Sequence, residues 1–186
     1  MRSTAFAAAL LFCLPALAAG EQSETLCTIK MNSTYRLSAP AGWRFVECSS
    51  GARDQNRNYS LEPLTPASLP QTALDTPGLT MYGGQVGRGT VEALLAKDRE
   101  VHSGEFAPND GEGLRTADRR DVRILQMTSR GEPFTWLAHG YVKVGPVVFL
   151  LALECHREED CAAGYAAFKK LVGSLQALRP NEVNVR

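Results

Sequence analysis

The segment at residues 152–165, ALECHREEDCAAGY, concentrates residue types that can do chemistry. Cys155 and Cys161 stand six positions apart, with His156 and three acidic residues between them. A redox pair usually has the tighter C-x-x-C spacing. A structural zinc site needs a second close pair of ligands, which Cys27 and Cys48 do not supply. The spacing therefore favours a structural disulfide, and a metal-ligand role for His156 is the alternative.

The compartment decides between these interpretations, and the first 20 residues indicate it. The chain begins MRSTAFAAALLFCLPALAAGEQ, with one positive charge at Arg2, an apolar run over 5–17 and small residues after Pro15. This layout is typical of a secretory signal peptide, and the run is too short for a stable membrane span. We expect cleavage between Ala18 and Glu21, which gives a soluble, periplasmic or secreted protein with no stable membrane anchor.

Removal of the signal peptide takes away the first cysteine and leaves four, Cys27, Cys48, Cys155 and Cys161. An even number of cysteines in an exported chain predicts disulfides. Three pairings are open, and proximity in sequence favours Cys27–Cys48 and Cys155–Cys161. Loop-closure entropy gives about 3 kcal/mol for the longer loop and about 2 kcal/mol for the shorter one.

Composition indicates one globular domain over 21–186 and excludes two classes of partner. The chain has 20 Lys and Arg against 20 Asp and Glu, so its formal net charge is zero. Neither a nucleic-acid footprint nor a polybasic membrane surface is indicated. A chain of this length buries a substantial core, so the disulfides support that core rather than replace it.

The other candidate motifs carry little chemistry. The glycines of YGGQVGRGT, residues 82–90, precede a predicted helix as phosphate-binding glycines do, but the spacing matches no nucleotide fingerprint. We interpret them as turn glycines, with Arg88 as a residue that could meet an anion. Ser174 lacks the second glycine of a nucleophile elbow, and His102 and His139 have no partner in the sequence. We therefore predict no catalytic residue, no cofactor and no metal site.

The first half of the mature chain predicts short strands and one helix. Four strand-like pieces are separated by turn-prone residues; they are TLCTIKM, TYRLSA, WRFVEC and NYSLEPL. Residues 63–77 contain four prolines and predict a surface loop. A strand that ends in glycine-rich turns comes next. Thr90 then caps a helix, TVEALLAKDREV, whose apolar face is formed by Val91, Leu94, Leu95 and Val101.

The last part of the chain predicts three antiparallel strands and a covering helix. DVRILQMTS alternates with period two, and FTWLAHGYVKV and VVFLLALEC read as a hairpin around Gly145. The seven apolar residues over 147–153 indicate a strand that is buried on both faces. An apolar stripe predicts a helix over 159–178 that Pro180 ends; its members are Cys161, Tyr165, Phe168, Val172 and Leu175.

Residues 103–120 form a long polar segment, which we predict to be a loop. Long ordered loops are often functional, although a plain hairpin excursion is the alternative. As candidate partner-binding residues we select charged members of this segment; they are Glu105, Asp110, Glu112, Arg115 and Arg119.

The order of elements resembles the PsbP-like fold, which the nuclear-transport factor Mog and the DcrB-like exported bacterial proteins share. The resemblance covers about residues 33–178 and is carried by the turn in LSAPAGWRF, the strand order and the terminal helix AAFKKLVGSLQAL. It implies an α+β fold, an antiparallel sheet with a short middle helix and a C-terminal helix packed on it. It also implies a binding or accessory role, and it offers no catalytic residues to carry over.

Together these features predict an exported, non-enzymatic protein whose partner is another protein, a toxin or an envelope component. The concrete hypothesis is an immunity protein that neutralises a toxin delivered to the periplasm. One alternative is a DcrB-like envelope-maintenance protein that binds a lipid or small ligand between sheet and helix. The other is a hydrolase, which would need His102 or His139 beside a carboxylate and a serine.

Overall fold

The computed structural model describes residues 25–30, 34–49, 58–64 and 78–178. The signal peptide predicted at 1–20 and most of the proline-rich segment lie outside these residues. The strands are β1 (Leu26–Lys30), β2 (Thr34–Ser38), β3 (Trp43–Cys48), β4 (Tyr59–Pro63), β5 (Leu79–Arg88), β6 (Phe106–Asp110), β7 (Leu114–Arg115), β8 (Asp121–Ser129), β9 (Trp136–Val144), β10 (Val147–Cys155) and β11 (Gln176–Leu178). The helices are α1 (Val91–His102) and α2 (Glu158–Ser174).

The strands form two antiparallel sheets, so the predicted α+β fold class is confirmed. The larger sheet has eight strands in the order β3-β4-β5-β10-β9-β8-β6, and β7 pairs with the start of β8. The smaller sheet has the order β1-β2-β11. No helix in the described ranges is long and apolar enough to cross a membrane.

Strand β10 lies at the centre of the larger sheet because its side chains are apolar on both faces. Phe149, Leu151 and Leu153 belong to one core cluster, together with buried residues of α2 and of the smaller sheet. Val148 belongs to a second cluster that contains Val91 and Leu95 of α1. The two helices therefore cover opposite faces of the sheet, and the hairpin of β9 and β10 predicted from the sequence is confirmed.

Both predicted disulfides are present. Cys27–Cys48 joins the smaller sheet to the edge of the larger one, with 5.7 Å between its Cα atoms. Cys155–Cys161 joins the end of β10 to the first turn of α2, with 5.6 Å between its Cα atoms. Such bonds persist in oxidising, extracytoplasmic compartments.

The C-terminal helix is shorter than the predicted 159–178. The helix ends at Ser174, and Leu175 adopts an extended conformation. The Ser174 hydroxyl accepts a hydrogen bond from the Ser38 backbone N–H at 3.0 Å, and β11 then pairs with β2. The last predicted helical residues thus complete the smaller sheet. Pro180 is not what ends the helix.

The predicted loop at 103–120 contains two strands, β6 and β7, which corrects the expectation of a loop throughout. Strand β6 pairs with β8 from Phe106 opposite Ser129 to Asp110 opposite Leu125, and β7 pairs with the start of β8. The segment is therefore a hairpin excursion that forms the outer edge of the larger sheet.

The short middle helix agrees with its predicted start but not with its whole apolar face. The Thr90 side chain accepts a hydrogen bond from the Ala93 N–H at 3.2 Å, as a helix N-cap does. Val91 and Leu95 are buried, but Val101 is 66% exposed because it faces away from the sheet.

Removing either disulfide should lower the free energy of unfolding by an amount that follows loop length. We expect a loss of about 3 kcal/mol when Cys27 and Cys48 are both replaced by serine, and of about 2 kcal/mol for the Cys155/Cys161 pair. Urea unfolding of the mature, oxidised protein measures both values. Equal stability of both double variants and the wild type would contradict this account of the disulfides.

Candidate functional site

A cluster of titratable side chains lies where α1 packs on the sheet. One Asp98 carboxylate oxygen, Oδ2, accepts hydrogen bonds from His139 Nδ1 at 2.8 Å and from the Tyr141 hydroxyl at 2.9 Å. The other oxygen, Oδ1, lies 3.3 Å from His102 Nε2. The three partners therefore converge on a single carboxylate.

Helix and strand geometry bring these four residues together. Asp98 and His102 are four positions apart on α1, so they share one helix face. His139 and Tyr141 are two positions apart on β9, so they share the sheet face that α1 covers. The cluster was not predicted from the sequence because Asp98 and His139 are 41 residues apart. The two local spacings were the signals that could have indicated it.

The cluster holds Asp98 ionised. Burial raises the pKa of Asp98, but the hydrogen bonds and charge of His139, with smaller contributions from Tyr141 and His102, outweigh that effect, and the pKa is lowered. The pKa of Tyr141 is raised by burial and by the neighbouring Asp98 charge. Since Oδ2 is an acceptor, the His139 ring carries a proton on Nδ1 in this hydrogen bond.

This arrangement resembles half of a catalytic triad. The His139 Nε2 atom is buried and has no hydrogen-bond partner among the described residues, so no serine there completes the constellation that a hydrolase would need. Over all the residues that the structure describes, no group of three or more His, Cys, Asp or Glu side chains could hold a metal ion. The geometry is that of a buried polar contact that fixes α1 on the sheet.

Cys155 and Cys161 are bonded to each other. Neither thiol is therefore free to bind a metal ion together with His156. His156 Nε2 lies 3.2 Å from Glu154 Oε1, and its Nδ1 lies 3.3 Å from the Thr135 hydroxyl. The surroundings of His156 are thus a local polar network.

The glycines at 82–90 lie mostly within β5, so the prediction that they form turns at the strand end is wrong. A Cβ on Gly83 would lie 2.1 Å from the Leu150 carbonyl oxygen, and one on Gly84 would lie 2.3 Å from Asn58 Oδ1. These two positions lack side chains because the β10 backbone approaches Gly83 closely and Asn58 approaches Gly84 closely. Arg88, at the end of β5, is exposed.

The five residues selected for partner binding do not form one compact cluster. All five are exposed, and they follow the outer edge of the larger sheet from the start of β6 to the turn before β8. Since β8 has nine residues, this edge is about 25–30 Å long.

Ion pairs connect this edge to three other elements. Asp110 pairs with Arg99 of α1. Glu112 lies 3.0 Å from Lys169 of α2, and Arg115 lies 3.0 Å from Asp121 of β8. Exposed ion pairs are individually weak, so the strand pairing with β8 supplies most of the order. The edge is thus both ordered and exposed.

Comparison with known proteins identifies the fold. Cyanobacterial PsbP (CyanoP) from Synechocystis sp. PCC 6803 matches 88% of this chain and 99% of its own length, with a TM-score of 0.52 at 12% identity. The fold is PsbP-like. LpqN, involved in cell envelope biogenesis of Mycobacterium tuberculosis, matches 83% of this chain and 91% of its own length, with a TM-score of 0.51 at 12% identity.

At this identity the likeness shows the fold alone. The sequence matches no family model and no curated protein. The PsbP-like fold that the sequence suggested is thereby confirmed, whereas a specific likeness to Mog or to DcrB stays a prediction.

Replacing Gly83 by alanine should destabilise the protein strongly. The new methyl group would meet the Leu150 carbonyl and the Tyr59 hydroxyl, at 2.1 and 2.8 Å, so we expect a loss of about 3 kcal/mol in the free energy of unfolding. Gly113→Ala is the matched control because nothing lies within 4 Å of its Cβ position. Urea unfolding of both variants checks this, and equal effects would contradict the close-approach account.

Replacing Asp98 by asparagine should remove a stabilisation that depends on pH. Because the folded pKa of Asp98 lies below its ordinary value of 3.8, its contribution is full above that value and decreases as the pH falls through the folded pKa. We expect a loss of about 2 kcal/mol at pH 6, and a smaller difference from the wild type below about pH 4.

The control for this variant is Asp121→Asn, whose carboxylate is 78% exposed. Such a surface pair contributes little, so its effect should stay small. Unfolding titrations at several pH values test both variants. A difference for Asp98→Asn that does not change with pH would refute the role of its charge.

Proposed function

We propose that this protein is an exported, non-catalytic accessory protein that acts by binding another protein. The observation that carries the proposal is the ordered, exposed edge formed by β6 and β7. Strand pairing with β8 fixes its backbone, and its charged side chains point into solvent. A surface that is rigid before binding loses little conformational entropy when a partner binds it.

Strand addition is not the mode of binding that this edge favours. Pro108 of β6 has no backbone N–H to donate. The Phe106 carbonyl is occupied, because Arg130 Nε donates a hydrogen bond to it at 3.0 Å. These features are those with which proteins protect sheet edges from pairing with another chain. Recognition at this edge therefore rests on side chains.

The concrete form that we propose is an immunity protein that neutralises a toxin delivered to the periplasm. Its support is the export signal predicted at 1–20, the two disulfides that rigidify the scaffold, and the long charged edge. The edge would cover the toxin's catalytic cleft.

The DcrB-like alternative, envelope maintenance through a lipid or small ligand, has weaker support. Its ligand would lie between α2 and the sheet. There, Phe168 and Leu171 of α2 and Phe149 and Leu151 of β10 are all 0% exposed and belong to one packed cluster. This packing favours the protein-binding form.

The decisive experiment expresses the protein with its export signal in cells that carry the candidate toxin from the neighbouring reading frame. We expect the wild type to restore growth and to co-purify with the toxin. The double variant Glu105→Lys/Arg115→Glu, which keeps the net charge, should weaken protection at least tenfold.

The matched control is Glu47→Lys/Lys97→Glu, which makes the same charge exchange on exposed residues of β3 and α1. It should protect as the wild type does. Toxicity that the wild type does not relieve would contradict the immunity function. Equal protection by both double variants would contradict the role of the edge.

A further inference from the structure

Four cations lie at one end of the larger sheet, which we name the basic end. They are divided between its faces, because strand register places Arg88 on the α2 side and Lys143 and Arg123 on the α1 side. Arg88 is the last residue of β5 and pairs with Val147 of β10, while Lys143 of β9 pairs with Val148 of the same strand. Arg123 lies near the start of β8, and Arg119 lies in the turn before it. Strand β10 lies between β5 and β9. Since neighbouring strands are about 4.8 Å apart, the Cα atoms of Arg88 and Lys143 are about 10 Å apart.

The acids near the basic end are occupied by other residues. Asp118 Oδ2 pairs with Arg120 at 2.7 Å, and Asp121 pairs with Arg115 at 3.0 Å. Among the described residues, no carboxylate forms an ion pair with any of the four cations, and Glu92 is the one further acid there. The guanidinium groups of the basic end are therefore available to a partner.

The opposite end of the sheet carries the complementary charge. There, five acids have no ion-pair partner in the described ranges, and the exposed Arg130 at the same end has none either. The acids are Glu100, Glu105, Glu132, Glu158 and Glu159. Two of these begin α2, where carboxylates stabilise the helix N-terminus. The two ends are separated by the length of β8, about 27 Å. The chain has zero net charge but a strong charge separation, which orients an approaching charged surface.

Arg119 adds an independent observation, because its φ angle is 64°. This left-handed region favours glycine or asparagine and costs an arginine about 1 kcal/mol. The turn is held by the Thr116 hydroxyl, which accepts a hydrogen bond from the Arg120 N–H and donates one to Asp118. Strained residues of this kind are concentrated at binding sites.

We infer that the basic end docks on a carboxylate-rich face of the protein partner. This inference rests on the proposed function and names the chemistry of its partner. Three of the four cations are arginines, whose planar fork binds carboxylates through two parallel hydrogen bonds. The cations come from three separate chain segments, whereas lipid-binding basic clusters are usually contiguous in sequence. A protein surface therefore fits the arrangement better than an anionic membrane.

The first test measures binding of the mature protein to a fluorescent poly-L-glutamate peptide at 50 mM NaCl, beside vesicles of phosphatidylglycerol and phosphatidylethanolamine. We expect peptide binding that weakens with salt, and at least tenfold weaker binding for Arg119→Glu/Arg123→Glu. The control Lys97→Glu/Lys170→Glu changes the net charge equally and should stay within twofold of the wild type. Equal loss in both variants, or binding to the vesicles alone, would overturn the inference.

The second test separates docking from folding through Arg119→Gly. Since glycine adopts the left-handed conformation without strain, its thermal midpoint should rise by about 2 °C while peptide binding falls at least threefold. Unchanged binding would overturn the inference.

If the natural partner is captured and Arg119→Glu/Arg123→Glu still binds it fully, the inference fails while the proposed function stands. If no partner is captured but the peptide result holds, the proposed function fails instead.

Discussion

Strand β10 has apolar side chains on both faces, and the rest of the structure depends on covering both of them. Phe149 and Leu151 face α2 and the smaller sheet, and Val148 faces α1. Each such side chain contributes about 1.5–3 kcal/mol when it is fully buried. The sequence of β10 thus requires α2 and the smaller sheet on one face and α1 on the other. This requirement determines where the helices and the outer edge lie.

The helix layers differ in how they are attached. A disulfide joins α2 to the end of β10. Further along the helix, the buried Phe168 packs in one core cluster with apolar residues of the larger sheet. For α1 the attachment combines a small apolar cluster with the Asp98 carboxylate, which binds His139 and Tyr141 of β9. Because α1 leads directly into β6, this polar contact also sets the position of the outer edge. A group that looks catalytic in isolation therefore contributes to the shape of the outer edge.

Elements with a strong local signal could be predicted from the sequence. Alternation identified β8, the apolar run identified β10, and the spacing of the cysteines with the predicted export signal identified both disulfides. Elements that depend on pairing with a distant segment could not be predicted. Strand β6 has the sequence FAPND, with low strand propensity, and is a strand because β8 pairs with it. Strand β11 has three residues and depends on β2, more than 130 residues earlier.

For the candidate site too, the residue types could be predicted from the sequence but their arrangement could not. The charged residues of the edge were visible in the sequence, since composition alone marks them. Their alignment along one edge, and the separation of positive and negative ends, follow from strand register, which the sequence does not display. Whether the edge is a loop or a strand is thus the point at which the structure changes the functional account.

Native-state hydrogen exchange of the mature, oxidised protein tests that point most directly. The account predicts that the amides of β6 that pair with β8 are protected at least a hundredfold over an unstructured chain, and that those of β9 and β10 exchange only through global unfolding. Exchange of residues 106–110 at the unprotected rate would show a mobile loop, and would contradict a binding surface that is ordered before its partner arrives.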